Sequence, residues 1–240
     1  MSLLRSTSRR GPMSGEPPAI PAGVERRLSS MQRDASRMAL AALHHAGIER
    51  PDAIIASTAL GCLDDTERFL ADMHDANGAL LSPLPFMRST HNTMAGQIAL
   101  MLRCDGPNIT HAQGLDGFHA ALVEAELMLH EKPEWNILVI ALDERTALLE
   151  RIAGALDPAI NVGAGGEAFV LSGMADGNAL ARITWAADHD GARMMRDPEL
   201  ALHGSLIAQQ LGDAIAAGLA QAIRIGASEN HLTDLLISPC

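Results

Sequence analysis

Asn136-Ile-Leu-Val-Ile-Ala-Leu142 is apolar at every position after its first residue. A strand with one face in water alternates apolar and polar side chains, whereas a continuous apolar run suits a strand covered on both faces. The stretch therefore predicts a buried strand with helices packed above and below it, and with that a layered α/β domain.

The neighbouring segments follow the same alternation. Residues 114–130 carry Ala and Leu at helical spacing and few polar side chains, which predicts a helix apolar nearly all round. Such a helix belongs inside a protein, between two sheets or at a subunit interface, and hints at an α/β/α/β/α sandwich. Upstream, Ile109–Ala112 predicts a short strand and Asn92–Leu102 a small-residue helix broken by Gly106-Pro-Asn108. Before these come a helix over Asp64–Ala76, a strand over Asp52–Ala56, and a helix over about 24–47 stopped by Gly47. Downstream, Phe169–Leu171 and Ala181–Trp185 predict two strands paired antiparallel across residues 173–178. A long Ala-rich helix over about 201–225 and a terminal strand at Asp234–Ser238 complete the pattern. Residues 1–22, rich in Ser, Arg, Gly and Pro, are expected to form a mobile leader, leaving 23–240 as the folded domain.

Composition narrows the function classes. The 240 residues are 48% hydrophobic, enough for a sizeable core, but only 2% are aromatic and there is no Tyr. Ala, Leu, Ile, Val and the 12 Met residues must fill that core. A net charge of −11 argues against nucleic-acid binding, which needs a basic face, and would repel an acidic carrier protein. Cys62, Cys104 and Cys240 show neither disulfide-framework nor zinc-ligand spacing, and the ten His show no HxxxH or HxH spacing, so no metal or other cofactor is expected. No apolar stretch reaches the length of a membrane span, and no signal peptide is evident, so the expected location is the cytoplasm.

Several residues invite functional readings with a plainer reading beside them. Cys62 and Cys104 are better read as small buried hydrophobes than as relocated nucleophiles. His91 and His111 could form a relocated acid/base pair, but satisfied interior or interface histidines are the more economical expectation. Gly163-Ala-Gly-Gly166 lacks the Lys-Ser/Thr of a phosphate loop and reads as a hairpin turn. Asp143 and Glu144 are adjacent at a strand end and point to opposite faces, which favours structural capping over paired acid/base work.

Three segments together resemble the N-terminal half of β-ketoacyl synthases, enzymes of the thiolase fold. They are Ser82-Pro-Leu-Pro-Phe-Met-Arg-Ser-Thr-His91-Asn-Thr-Met-Ala-Gly96-Gln-Ile-Ala99, Gly106-Pro-Asn-Ile-Thr110, and Asn136 to Glu144. Gly163 to Leu171 is similar to the Gly-rich hairpin that precedes the second half of that fold. With Gly61-Cys-Leu-Asp-Asp-Thr-Glu-Arg-Phe-Leu70, the pattern is closer to the short ketosynthase-like or chain-length-factor-like proteins of aryl polyene, flexirubin and dialkylresorcinol pathways. The resemblance spans roughly 24–240, although the usual opening strand is not recognisable. It implies a truncated thiolase-like layered α/β/α sandwich.

The chemistry of that family is what the sequence lacks. A ketosynthase needs a thiolate at a strand-to-helix turn, where the helix N-terminus lowers the thiol pKa. The matching turn, His111-Ala-Gln-Gly-Leu-Asp-Gly117, holds no cysteine; one alignment puts Gly114 at the nucleophile position and another puts Gln113 there. The family's first catalytic histidine follows a strand like Asp234–Ser238, and the sequence ends at Pro239-Cys240. The resemblance also implies that Phe86 to Met94 lies at a subunit interface, making Phe86, Met87, Thr90, His91 and Met94, with His111, candidates to line or cap an acyl tunnel.

The expected function is a non-catalytic subunit that pairs with a cysteine-bearing ketosynthase, or with itself, and meets acyl carrier protein only indirectly. The alternatives are a stand-alone homodimeric acyl-binding protein, or an acyltransferase or thioesterase with a relocated His base.

Overall fold

The computed structural model describes residues 2–9, 19–76, 80–160, 162–174, 179–186, 193–194, 204–218, 221–225 and 233–239. In chain order its elements are β1 (Ser2–Arg9), α1 (Ala22–Glu25), α2 (Ser30–Ala46), β2 (Ala53–Thr58), α3 (Leu63–Asp75), α4 (Pro83–Ser89), α5 (Thr93–Leu102) and β3 (Asn108–Ala112). A 3-10 turn (Gly114–Asp116) leads into α6 (Gly117–Glu131), β4 (Asn136–Asp143), α7 (Ala147–Leu156) and β5 (Gly165–Ser172). The last elements are β6 (Ala181–Ala186), β7 (Arg193–Met194), α8 (Ser205–Ala216), β8 (Gln221–Ile225) and β9 (Thr233–Pro239).

The strands make one mixed sheet in the order β3-β2-β4-β5-β1-β6-β9-β8-β7. β2 runs parallel to both β3 and β4, and β4 pairs antiparallel with β5. β4 is buried from Ile137 to Asp143, as its continuous apolar run requires. Its side chains divide between two cores by the two-residue period of a strand. Leu138, Ile140 and Leu142 face α2 and α5, where Met31, Met38, Met94 and Ile98 pack. Ile137, Val139 and Ala141 face α6 and α8, where Phe118, Leu122, Ile207 and Leu211 pack. The architecture is therefore three-layered, helix on sheet on helix, and the described strands form one sheet where the apolar helix had hinted at two.

Two of the four Phe residues pack against each other in the core. Phe118 and Phe169 are fully buried with ring centroids 5.6 Å apart in a tilted arrangement. Such a pair adds about 0.5–1.5 kcal/mol beyond its area burial. Helix α2 begins at a capping box between Ser29 and Gln32 and ends at Gly47, whose φ of 69° is the left-handed stop its sequence suggests. Gly106 is forced by close approach, since a Cβ there would lie 1.8 Å from the carbonyl oxygen of Asp52.

Four expectations need correction. Residues 2–9, expected in a mobile leader, form β1, paired antiparallel with β5 on one side and β6 on the other. Their polar composition hid a strand that pairs with β5 over Leu3–Arg9 and with β6 over Ser2–Leu4, a case of tertiary context overriding local propensity. It follows that β5 and β6 are not a hairpin, because β1 lies between them. The connecting residues 175–178 lie outside the described residues. The Ala-rich stretch expected as one helix over 201–225 divides into α8 and β8, with Gly218 at φ 63° between them. Finally, the helix expected from residue 114 starts at Gly117, and α4 and α7 add two helices the periodicity did not signal. Their starts are capped by the Ser82 hydroxyl on the Leu84 amide and by the Thr146 hydroxyl on the Leu149 amide.

Candidate functional site

The C-terminal ends of β2 and β3 and the link from α4 to α5 converge on a cavity of about 670 Å³. Its walls are Ala59, Leu60 and Gly61 after β2, Ser89 to Asn92 before α5, and Thr110 and Ala112 of β3. The α4–α5 link is held by short-range bonds. The Thr90 and Thr93 hydroxyls are hydrogen-bonded to each other, and the Thr93 hydroxyl donates to the Met87 carbonyl at 3.0 Å. On the other wall, Gly61 takes φ 83°, and a Cβ on it would sit 3.5 Å from His91 Cβ, so the turn and the link are in near contact.

The elbow after β3 stands beside this cavity. Gln113 has φ −130° and ends the strand, while Gly114 takes the left-handed φ of 57° that turns the chain into α6. The Gly114 amide donates to the Ala59 carbonyl at 3.3 Å, which ties the elbow to the cavity wall. A Cβ at Gly114 would meet nothing within 4 Å, so the elbow points into open space and carries no side chain there. A left-handed turn between strand and helix is how a fold projects a reactive group over a helix N-terminus. Here it is built and left bare.

Of the sequence-expected residues, Thr90 and His91 line the cavity. Phe86 and Met87 do not; they are exposed on α4, with the Phe86 ring 5.3 Å from Phe69 of α3. Met94 is a correction, because the turn of α5 carries it inward and it is fully buried in the core beneath α2. His111 is flanked in β3 by Thr110 and Ala112, both on the cavity side, so its ring is directed to the opposite face of the sheet. Burial holds its pKa below the ordinary imidazole value, opposed by Glu124 of α6. His91 and His111 are consequently not brought together as an acid/base pair.

Cys62 is buried, and its thiol is pushed up to about 12 by burial first and then by Glu144 and Asp65. A thiol in that state is a packing group and a poor nucleophile. Among the described residues, no group of three or more His, Cys, Asp or Glu side chains is arranged to hold a metal ion. Nor is any described helix long and apolar enough to cross a membrane.

Two acidic residues that the sequence marked as capping groups do cap, on opposite sides. Glu144 accepts from the Asp64 amide at the start of α3 and from the Ser30 hydroxyl, each at 3.2 Å. Asp143 is buried, and one of its oxygens accepts from the Thr58 hydroxyl at 3.0 Å and the Ala59 amide at 2.6 Å. Its second oxygen accepts from the Ser205 amide at the start of α8, at 2.7 Å. The part Asp143 plays beside the cavity was missed; a lone acid closing an all-apolar strand was the available signal.

A family model described as β-ketoacyl synthase, N-terminal domain, matches residues 6–148. Among solved structures, the chain is similar to the ketosynthase ApeO in complex with its chain length factor ApeC from Xenorhabdus doucetiae, with 18% identity, 99% of both chains covered and a TM-score of 0.67. It is also similar to a β-ketoacyl synthase from Burkholderia phymatum, with 11% identity, coverage of 100% and 99%, and a TM-score of 0.71. The ishigamide ketosynthase/chain length factor is a third, with 12% identity, 98% of each chain covered and a TM-score of 0.67. At such identities the likeness shows the shared thiolase-like fold. No curated protein matches the chain by sequence.

Proposed function

We propose that this chain, which belongs to the β-ketoacyl synthase N-terminal domain family, is a non-catalytic, chain-length-factor-like subunit of a cytoplasmic condensing enzyme. It pairs with a cysteine-bearing ketosynthase and limits acyl chain length in polyketide, aryl polyene or fatty-acid-type biosynthesis. The observation that carries this reading is the elbow at Gly114, kept in its left-handed geometry beside a cavity but without a group able to form a thioester.

Three further features support it. β3 is the edge of the sheet and has no neighbour on its outer side among the described residues. Natural proteins cover or blunt such edges, since unpaired backbone groups invite another chain. Leu100 of α5 and Val123 and Leu127 of α6 are exposed on the helices that pack on this end of the sheet. Two of the similar structures are, by their own descriptions, ketosynthases with chain length factors. With a net charge of −11, the chain leaves docking of an acidic carrier protein to its partner.

The test is co-expression with a cysteine-bearing ketosynthase of the same genome, followed by native mass spectrometry and product analysis. The expected result is a heterodimer whose product length changes when Thr90 or His91 is replaced by Trp. A stable homodimer that ignores the ketosynthase, or unchanged products from both variants, would overturn the reading in favour of a stand-alone acyl-binding protein.

A further inference from the structure

Gly204 and Asp143 act on the elbow from the side away from the cavity. Gly204 immediately precedes α8, and a Cβ on it would lie 2.5 Å from the carbonyl oxygen of Gly114. The two glycine backbones are therefore in direct contact, and no larger residue fits at 204 with α8 where it is. α8 is held in that place by the bond from its Ser205 amide to Asp143 Oδ2. The other oxygen of the same carboxylate fixes the turn after β2 through the Thr58 hydroxyl and the Ala59 amide. That turn returns to the elbow through the Gly114 amide on the Ala59 carbonyl, and its own Gly61 amide donates to the Thr58 hydroxyl at 3.2 Å.

These contacts close a ring: Asp143, the turn after β2, the elbow, Gly204 and Ser205, back to Asp143. We infer that Asp143 and Gly204 form a clasp through which α8 sets the geometry of the elbow and of the cavity wall, so that the three segments open and close as one unit. Asp143 is a positioning residue in this scheme and touches no ligand. The reasoning rests on bond chemistry. A carboxylate offers two oxygens, each accepting from backbone or hydroxyl donors, and both are used. An Asn at 143 offers one oxygen; the β2 turn presents two donors and α8 one, so that oxygen stays with the turn, the NH₂ meets the Ser205 N–H, and α8 loses its anchor. A closed ring also makes the coupling reciprocal: whatever steadies the cavity wall steadies α8, and the reverse holds equally.

The experiment is residue-resolved amide hydrogen exchange on the full chain alone, comparing the natural protein with D143N, G204A and, as a control, E144Q. The reporter amides are Ala59, Gly61, Gly114 and Ser205; β4 amides report global unfolding in the same spectra. In D143N the Ser205 and Gly114 amides are expected to exchange at least tenfold faster than in the natural protein, relative to β4. G204A, which leaves the carboxylate in place, is expected to accelerate the same pair. E144Q, whose carboxylate serves the start of α3 instead, is expected to leave all four unchanged relative to β4. The clasp is overturned if Gly114 keeps its natural rate while Ser205 alone speeds up, or if G204A leaves both unchanged. Should D143N not fold, G204A alone decides by the same criterion. The measurement uses no ketosynthase, so it stands or falls separately from the proposed pairing.

Discussion

Replacing Gly114 by Cys places a thiol on the elbow and tests whether that turn can present one. The cost can be worked from its geometry. A Cβ at 114 meets nothing within 4 Å, so the side chain adds no clash, but φ of 57° is left-handed. A non-glycine residue there costs about 1–2 kcal/mol. That is affordable against the roughly 5–15 kcal/mol by which domains are stable. In a chain of this size it lowers Tm by roughly 2–8 °C, from about 2–4 °C per kcal/mol. The new thiol would stand at the head of the 3-10 turn, three residues before α6, a 15-residue helix whose N-terminus favours a thiolate close to it. Cys62, by contrast, is held at about 12 and is expected to stay inert in the native state. The assay is alkylation by iodoacetamide at neutral pH, followed over time by intact-mass measurement. G114C is expected to take up one adduct more than the natural protein, and faster than any other site. A variant that melts within the stated range yet gains no adduct would refute the claim that the elbow opens into accessible space.

Other perturbations test the core and the cavity. Phe118→Ala removes a fully buried ring stacked against Phe169 and is expected to cost about 3–5 kcal/mol in urea unfolding. Because burial raises the Cys62 thiol from the ordinary 9.0 to about 12, the unfolded chain gives up that proton first. Stability from this group is complete below 9.0 and lost as the pH climbs towards 12, so the natural protein should lose more stability over that window than Cys62→Ala. His91 is exposed at the cavity rim, so His91→Ala should shift stability by no more than about 0.5 kcal/mol while, on the proposed pairing, altering product length.

Legibility in the sequence followed how local the decisive physics was. β4 and α2 were legible because an unbroken apolar run and a helical repeat ending in Gly47 are decided within the segment itself. β1 was not, since Ser2–Arg9 is a strand only by virtue of β5 and β6 on either side. The Ala-rich tail hid a change of element, because Ala favours helix on either side of Gly218 and the strand at Gln221–Ile225 is set by its pairing with β9. At the site, the absence of a cysteine from residues 111–117 was plain in the sequence, but two alignments left Gln113 and Gly114 open as the position it would match. Backbone conformation favours Gly114, which holds the left-handed position, over Gln113, which closes the strand. Met94 was misjudged because its neighbours Thr90 and His91 are on the wall while the turn of α5 rotates it into the core. Asp143 at the end of an apolar strand pointed to capping, but its partners at residues 58, 59 and 205 are remote in sequence and could not be read from it.

The place of β1 bears on how the molecule is assembled. Among the described residues, hydrogen bonding along the sheet passes from β3-β2-β4-β5 to β6-β9-β8-β7 only through Ser2–Arg9. β1 must wait for partners at 167–172 and 181–183, a loop closure across most of the 240 residues. Contacts of such long range form slowly, and until they form the facing edges of β5 and β6 lack the partner that β1 supplies. An unpaired strand edge is a template for a neighbouring chain, so the β1 seam is also what keeps these two edges closed to other molecules.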